Sequence, residues 1–450
     1  MRANKEKEFD IVDIEFPGVG IAYNEDKKIY IKGAVPGQKV LAVIAKSKKE
    51  YATAKLIKIL NKIDGEIEPK CVHFGVCGGC THQFLDYKEQ LRLKEEQVLK
   101  LFKSAEIEDF NYQGIDQSPE EFGYRNKMEF TFGDMEKDSE LTLGMHARNT
   151  AFGVVTVDKC CLIHEDFKLI LDAVLNYFKD LKLSYYRVVK HQGFLRNLVI
   201  RRTKNTDEIL VNLVTTSQDS FDKKEFNDLI TNLPLKAKLV GVLYTINDQL
   251  AGTVAADAVE ILQGRDYIEE KVLGLNFKIS PLAFFQTNTW GAEKLYEIVM
   301  DFMGPADSKV IFDLYCGTGT IGQLVAGKAK RVIGIELIEE AVKAANENAA
   351  LNNLTNCSFI AGDVAKTVNT IAEKPDIIIL DPPRPGLHPM ALKYVIDFNA
   401  DEIIYVSCNP KSLVVDLKKL IFNGYKIDKV KLMDMFPQTP HVETVVKLSR

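Results

Sequence analysis

The sequence predicts three domains, in which a small all-β barrel and a central α/β domain precede a doubly wound α/β domain. Three observations support this prediction. The 450 residues exceed what one hydrophobic core usually serves. Short alternating strands occupy residues 8–60, and strands alternate with helices through residues 307–450. We expect the boundaries to divide the chain into 1–61, 62–280 and 281–450.

The composition is ordinary for a globular protein, with 46% hydrophobic and 27% charged residues. An uninterrupted apolar run of about 18 residues, as a membrane span requires, does not occur in the sequence. The first ten residues, MRANKEKEFD, are charged and do not form a secretory signal. We therefore expect a cytoplasmic, monomeric protein with reduced cysteines. The net charge of -5 does not indicate a class of partner.

The N-terminal segment alternates apolar and polar residues between turn residues, as in FDIVDIEF and GVGIAYNEDKKIYIKG. Gly18 and Gly20 fall in a predicted turn, and the basic run KSKKE occupies 46–50. The segment resembles a TRAM domain, an OB-like barrel that binds RNA. An unrelated small barrel is the alternative.

The central region alternates strands and helices from about residue 122 to 280 and has no recognisable nucleotide loop. It follows a predicted helix in residues 84–105. Two strand-like stretches, GYRNKMEFTFG and GFLRNLVIRRTK, are basic. We predict RNA contacts there, with plain surface charge as the alternative. The basic residues concerned are Arg125, Lys127, Arg196, Arg201 and Arg202.

The last region predicts a parallel sheet with polar residues at the carboxyl ends of its strands, where ligands bind in such folds. These residues are Asp313, Glu336, Asp363, Asp381 and Cys408.

A glycine-rich turn, G-x-G-x-x-G, joins the first strand of this region to a helix and would also fit a dinucleotide-binding fold. Asp313 precedes the glycines in DLYCGTGT, and DPPR at 381–384 follows the fourth strand. Acidic side chains suit a ligand with a cationic sulfonium better than they suit the anionic pyrophosphate of a dinucleotide. Together the motifs resemble the Rossmann-like S-adenosylmethionine methyltransferase fold.

The residue after the two prolines is Arg384, whereas amino-group methyltransferases of this fold carry an aromatic residue there. The sequence SCNP at 407–410 instead offers a thiol. Methylation of uracil at C5 needs a nucleophile that adds to C6 and a base that removes the C5 proton. Cys408, beside a predicted helix N-terminus, is expected to have a lowered pKa. A buried structural cysteine is the alternative, and Glu443 is the candidate base.

Six motifs in order, FFQTN, DLYCGTGT, IEL, DPPRPG, SCNP and HVETV, resemble the RNA uracil-C5 methyltransferase family. The resemblance implies that Cys408 is the nucleophile and Glu443 the general base. It implies that Arg384 orients the base or the loop, whereas Thr320 replaces an asparagine of some members. The residues implied to contact S-adenosylmethionine are Gln286, Tyr315, Glu336 and Asp381, with Asp313 and Asp363 as further contacts.

The stretch CVHFGVCGGC spaces three cysteines as C-x5-C-x2-C, which suits zinc or an iron–sulfur cluster. A fourth ligand could come from CCLIH at 160–164, or His73 and His82 could complete a zinc site. Ribosomal RNA members of the family resemble this chain in having a TRAM domain and a 4Fe-4S site. That resemblance implies Cys160 as the fourth ligand, with Cys161 as the alternative. The implied ligands are Cys71, Cys77, Cys80 and Cys160.

The same resemblance implies a substrate in 23S rRNA, because the transfer-RNA branch generally lacks both features. A tRNA uracil-C5 methyltransferase, a non-catalytic RNA-binding relative and a cluster-based redox enzyme using NAD are the alternatives.

Overall fold

The computed structural model describes residues 6–251, 254, 256–367 and 371–450. Within these residues the strands form three large sheets and one separate hairpin. No helix in this part of the chain is both long and apolar enough to cross a bilayer.

The N-terminal segment is all-β, as the alternating pattern predicts, and its six strands form one sheet. The strands are β1 (Glu6–Asp10), β2 (Asp13–Glu15), β3 (Val19–Asn24), β4 (Lys27–Lys32), β5 (Lys39–Ser47) and β6 (Tyr51–Asn61). Their order is β1-β5-β6-β4-β3-β2, and alternate apolar side chains such as Ile29 and Ile31 form the core. The helix α1 (Tyr87–Ser104) and the strand β7 (Asn111–Asp116) follow.

The central region forms a mixed seven-stranded sheet that packs against two helices. Its elements are β8 (Lys127–Gly133), β9 (Thr142–His146), β10 (Val154–Thr156), α2 (Glu165–Leu181), β11 (Leu195–Arg202), β12 (Glu208–Thr215), α3 (Lys223–Thr231), β13 (Lys238–Ile246) and β14 (Ala258–Gly264). The strand order is β10-β9-β8-β11-β12-β13-β14. Phe178 of α2 contacts Phe132, Phe221 and Phe226, so aromatic residues fill the space between sheet and helices.

The three arginines of β11 do not face solvent, and the prediction that they contact RNA is wrong. Arg196, Arg201 and Arg202 are 4%, 3% and 9% exposed. Arg196 donates to the carbonyls of Asn247 and Gln249 at 2.8 and 2.7 Å. Arg201 donates to backbone carbonyls of the 281–283 segment, and Arg202 pairs with Asp166 at 3.0 Å. Their guanidinium groups therefore satisfy buried acceptors inside the protein.

The C-terminal region forms an eight-stranded, mostly parallel sheet with helices packed against it. The elements are β15 (Ile268–Val272), β16 (Leu275–Ile279), α4 (Thr289–Met303), β17 (Ala306–Leu314), α5 (Thr320–Ala326), β18 (Ala329–Glu336), α6 (Glu339–Leu351), β19 (Cys357–Ala361), α7 (Val364–Thr367), β20 (Ile377–Leu380), α8 (Pro389–Phe398), β21 (Glu402–Ser407), α9 (Pro410–Phe422), β22 (Lys426–Met433) and β23 (Glu443–Ser449). The order is β19-β18-β17-β20-β21-β23-β22-β7.

One segment assigned by sequence to the central domain lies in this C-terminal sheet. β7 pairs in parallel with β22, and Val98 and Phe102 of α1 are buried in the same core. The hairpin β15-β16 likewise packs through Phe277 against the core around α4. The domains in space therefore do not follow the order of the chain at this point. β7 comes early in the sequence, but it supplies the backbone partner for the outer side of β22 in the C-terminal sheet.

Candidate active site

The predicted site residues converge at the carboxyl ends of neighbouring strands. Asp313 lies near the end of β17 and Glu336 ends β18, whereas Asp381 directly follows β20 and Cys408 directly follows β21. β17 is flanked by β18 and β20, and β21 is the next strand outward. Ligands bind at this edge of an open α/β sheet.

Asp313 presents an unpaired carboxylate oxygen to this edge. The residue is 1% exposed, and its Oδ2 accepts a hydrogen bond from the Gly322 amide at 2.8 Å. Its Oδ1 is buried and has no hydrogen-bond partner among the described residues. Burial, with the nearby carboxylates of Asp381 and Glu336, raises the pKa of Asp313 to about 7. A buried acceptor of this kind suits a ligand with cationic or N–H donor groups.

The carboxylate of Glu336 accepts hydrogen bonds from the glycine-rich turn and from the backbone that follows β18. The Gly317 amide donates to Glu336 Oε2 at 3.1 Å, and the Ile338 amide donates to Oε1 at 3.0 Å. Gly319 adopts a left-handed φ of 71°, and a Cβ there would lie 2.5 Å from the Phe359 ring. The turn therefore requires glycine at this position both for its backbone conformation and for its close approach to the sheet.

Tyr315 and Asp363 flank the same edge. Tyr315 is half-buried and has a positive φ of 65°, a sparsely populated conformation for this residue type. Burial and, next, the Asp363 carboxylate raise the pKa of Tyr315 to about 12. Asp363 is exposed, and its Oδ1 accepts from the Ala365 amide at 2.8 Å. Gln286 lies just before α4, and its backbone carbonyl accepts a hydrogen bond from Asn126 Nδ2 at 2.9 Å.

Cys408 and Glu443 lie side by side because of strand register. β21 and β23 are antiparallel neighbours, and Ser407 pairs with Thr444. Cys408 follows Ser407 and Glu443 precedes Thr444, so they occupy the next facing positions beyond that pair. The register explains how two residues from separate motifs meet at one point.

The thiol of Cys408 has a raised pKa, so the predicted lowering is wrong. Burial, then the carboxylates of Glu443 and Asp381, raise the pKa of Cys408 to about 11, while Arg384 opposes them. The predicted helix start is confirmed, since Asn409 caps α9 by accepting from the Lys411 amide at 3.2 Å. Burial beside two acids outweighs the helix N-terminus.

Glu443 is 5% exposed and begins β23. Burial, then the Asp381 carboxylate, raise the pKa of Glu443 to about 8, while Arg384 opposes the rise. Burial also raises the pKa of Asp381 to about 7. This strand edge thus holds several acidic side chains whose charged forms are disfavoured until a cation or hydrogen-bond donor joins them.

The loop that carries Arg384 is held against the start of α9. The Arg384 carbonyl accepts from Asn409 Nδ2 at 2.8 Å and from Ser412 Oγ at 3.0 Å. Asp416 Oδ2 accepts from the Leu387 amide at 2.9 Å and from the Tyr405 hydroxyl at 2.8 Å. The loop bearing Arg384 and the turn bearing Cys408 are therefore one connected unit.

A pocket away from this strand edge contains the four cysteines that the sequence assigns to a metal. Cys71, Cys77, Cys80 and Cys160 line it together with Arg125 and several apolar side chains. Burial raises the pKa of Cys80 to about 11 and that of Cys160 to about 12. All eight cysteines of the chain are free thiols.

The alternative metal ligands, His73, His82 and Cys161, do not all lie at this pocket. His73 lines the pocket, whereas Cys161 and His82 are not among its lining residues. Within the described residues, no set of three or more His, Cys, Asp or Glu side chains has the arrangement of a metal site. The structure therefore gathers the four thiols, and a metal ion or cluster on them is a proposal.

Comparison with known proteins decides the family. The sequence pattern of the family described as tRNA (Uracil-5-)-methyltransferase matches residues 86–450, which is most of the chain. The chain belongs to this family.

Relatives of this uracil-C5 RNA methyltransferase cover its full length. It is 58% identical over 450 residues to an uncharacterized RNA methyltransferase of Clostridium tetani, with 100% of the chain and 99% of the relative covered. An uncharacterized RNA methyltransferase of Clostridium acetobutylicum is 60% identical over the same length, again covering 100% and 99%.

A solved structure also resembles the methyltransferase over its whole length. It is the Pyrococcus abyssi tRNA (uracil-54, C5)-methyltransferase in complex with S-adenosyl-L-homocysteine. The TM-score is 0.78 at 27% identity, and 98% of this chain and 100% of that chain are covered. Together with the family pattern, this supports S-adenosylmethionine as the methyl donor.

Sequence reasoning missed Tyr296 of this methyltransferase. The residue lies in α4 and is 4% exposed. Burial raises its pKa, and the carboxylates of Asp381, Asp313 and Glu443 raise it further. A tyrosine in an amphipathic helix is an ordinary core residue, and no motif distinguishes it.

Proposed function

We propose that the protein methylates C5 of a uridine in 23S rRNA, with S-adenosylmethionine as methyl donor, through a covalent bond between Cys408 and C6. The observation that carries the proposal is the register of β21 and β23, which puts Cys408 beside Glu443 at the strand edge where the acids converge. A nucleophile and a base at adjacent positions are what this carbon methylation requires.

The methyl donor is held by residues of the strand edge. The unpaired Oδ1 of Asp313 suits the donor's ammonium group, directly or through water. We assign Glu336, which ends β18, to the ribose hydroxyls. Asp381, Gln286, Tyr315 and Asp363 supply the remaining contacts. The positive charge of the donor stabilises the ionised carboxylates, whose raised pKa values otherwise favour the protonated forms.

Cys408 acts on a uridine that has left its stack. Its thiolate adds to C6, and the electron pair of the C5–C6 bond passes to C5 and the ring carbonyl as an enolate. C5 then takes the methyl group from the donor sulfur, which leaves with its bonding electron pair. Burial and the carboxylates of Glu443 and Asp381 raise the pKa of Cys408, and Arg384 opposes that rise and so favours the attacking thiolate.

Glu443 completes the reaction as a base. Its carboxylate takes the proton from C5, the C5–C6 double bond reforms, and the C6–sulfur electron pair returns to Cys408 as a thiolate. The pKa of Glu443 of about 8 places the group where it can both accept this proton and release it near neutral pH.

The choice of 23S rRNA depends on the N-terminal sheet and the four-thiol pocket. A tRNA substrate is the second candidate, favoured by a specific observation. The Pyrococcus abyssi tRNA methyltransferase matches 98% of this chain and is itself covered to 100%, so the likeness extends through the N-terminal region.

Mapping of 5-methyluridine in RNA from cells with and without the gene tests the substrate. We expect one or more 23S rRNA positions to lose the methyl group when the gene is deleted, while tRNA positions keep it. Loss confined to tRNA would contradict the rRNA assignment, and unchanged 5-methyluridine in both RNAs would contradict the proposed function.

The four-thiol pocket is proposed to bind a 4Fe-4S cluster through Cys71, Cys77, Cys80 and Cys160, with zinc as the alternative. The donor set consists of sulfur, and apolar side chains including Met128 and Val157 shield it. Such a cluster would hold residues 71–83 to the central sheet.

Protein purified without oxygen is expected to be brown and to contain iron and sulfide in equal amounts, about four of each per chain. Cys160→Ser should lose the colour, because its thiol lines the pocket. Cys161→Ser should keep it, because that residue does not line the pocket. A colourless protein with one zinc per chain would contradict the cluster assignment.

A further inference from the structure

Glu443 is reached through a buried loop, residues 434–442, which we call the base loop. It joins β22 to β23. Asp434 and Met435 are 0% exposed, and Gln438 and Val442 are 1% exposed. A buried loop needs partners for its backbone polar groups, and their position decides what holds the loop in place.

The helix α1 supplies the first set of partners. Lys94 Nζ lies 2.6 Å from Asp434 Oδ1 and donates to the Phe436 carbonyl at 3.1 Å. The side chains of Lys94 and Asp434 are both 0% exposed. Such a pair fixes the start of the base loop, because breaking it would leave a buried charge without a partner.

Gln90 of the same helix holds the middle of the loop by a reciprocal pair of hydrogen bonds. The Gln438 amide N–H donates to Gln90 Oε1 at 2.9 Å, and Gln90 Nε2 donates to Gln438 Oε1 at 3.0 Å. Gln438 has a left-handed φ of 70°, which non-glycine residues adopt only when the surroundings hold them there.

The cysteine segment, residues 71–83, holds the same residue from another direction. The amides of Thr81 and His82 donate to the Gln438 carbonyl at 2.9 and 3.1 Å. Thr81 directly follows Cys80, one of the four pocket thiols, and His82 is the next residue. Gln438 is thus held by α1 and by the cysteine segment, five residues before Glu443 in the sequence.

We propose that Gln90 and the Thr81–His82 backbone are positioning residues for Glu443, and that through them the cysteine segment serves the proton-removal step. The proposal rests on the function proposed above. It follows that loosening these contacts slows the release of the methylated uridine from Cys408 and leaves the binding of S-adenosylmethionine unchanged.

The test compares Gln90→Met with Gln97→Met. Methionine keeps the approximate volume and removes the amide. Gln97 is on the same helix and is 2% exposed, but it bonds the Leu93 carbonyl and the Gly18 amide and makes no bond to the base loop. Each protein is incubated with S-adenosylmethionine and total RNA from cells that lack the gene. The covalent protein–RNA adduct is followed on a denaturing gel.

Gln90→Met is expected to resolve the adduct about a hundredfold more slowly than the unaltered protein, the effect of a misplacement on the order of 1 Å. Gln97→Met should resolve it at close to the original rate, and calorimetry should give equal affinities for S-adenosylmethionine. In a Glu443→Gln background, Gln90→Met should cause no further slowing, because it acts through that carboxylate.

Equal resolution rates in the two methionine variants would overturn the proposal, as would further slowing in the Glu443→Gln background. Gln438→Met, which keeps the backbone bond to Gln90, is the second variant should Gln90→Met not fold. It should also slow resolution, and an original rate in it would overturn the proposal. If Glu443→Gln itself forms no covalent adduct with RNA, that result contradicts the proposed function. It then also contradicts the positioning role of Gln90, which rests on that function.

Discussion

Replacement of Cys408 by alanine is expected to abolish methyl transfer while the affinity for S-adenosylmethionine stays within about twofold. C5 of uracil is too weak a nucleophile until a group has added to C6, so removal of the thiol removes the reaction path. Loss of a covalent nucleophile costs on the order of 10⁴-fold or more in turnover. Transfer of labelled methyl to RNA and calorimetric titration of the donor measure the two quantities.

Cys357→Ala is the matched control. Cys357 begins β19 in the same sheet and is a partly buried free thiol, but β19 is an edge strand that β18, β17 and β20 separate from β21. It should transfer methyl groups at close to the original rate. Full activity of Cys408→Ala would contradict the assignment of the nucleophile.

Glu443→Gln is expected to stop the reaction after methyl transfer, so that the protein accumulates as a covalent adduct with RNA. The amide has nearly the shape of the carboxyl group and cannot accept the C5 proton. Loss of a general base costs about 10²- to 10⁴-fold in turnover. Because the pKa of Glu443 is about 8, the group is largely neutral at pH 7 without ligand, and glutamine should be tolerated in this buried position.

A denaturing gel of labelled RNA measures the adduct. In the unaltered protein, adduct resolution should quicken as pH rises toward the raised pKa of Glu443, because only the deprotonated form accepts a proton. The double variant Cys408→Ala, Glu443→Gln should form no adduct. An adduct that persists in the double variant would show that another residue is the nucleophile.

The alternation of strands and helices in the sequence is enough to locate the polar residues of the site at the ends of the strands. The sequence predicts Asp313, Glu336, Asp363, Asp381 and Cys408 at or just beyond strand ends, and the structure confirms this for all five. The carboxyl ends of parallel strands meet at one edge whatever the lengths of the helices between them, so motif order alone carries this inference.

The pairing of Cys408 with Glu443 could not be derived from motif order. It depends on the antiparallel register of β21 and β23. Nor could sequence show that α1 and the cysteine segment hold the base loop, since these contacts join residues separated by most of the chain. Long-range hydrogen bonds have no periodic signature along the sequence.

Two expectations failed for a shared physical reason, which is burial. The helix N-terminus beside Cys408 was expected to lower its pKa, but burial next to Glu443 and Asp381 outweighs that effect. Basic residues on β11 were expected to face RNA, but Arg201 and its neighbours satisfy buried acceptors. The sequence shows which side chains can carry a charge, whereas the packing of the sheets decides whether each of those side chains is buried or exposed.

Trapping with 5-fluorouridine shows whether Cys408 forms a covalent bond to the uridine. Total RNA from gene-deleted cells grown with 5-fluorouracil is incubated with the protein and S-adenosylmethionine, and digested adducts are analysed by mass spectrometry. Fluorine at C5 cannot be removed as a proton is, so the complex cannot advance beyond methyl transfer. We expect a peptide that contains Cys408 joined to a methylated fluorouridine. A methylated RNA with no protein attached, or a uridine attached to a different residue, would contradict it.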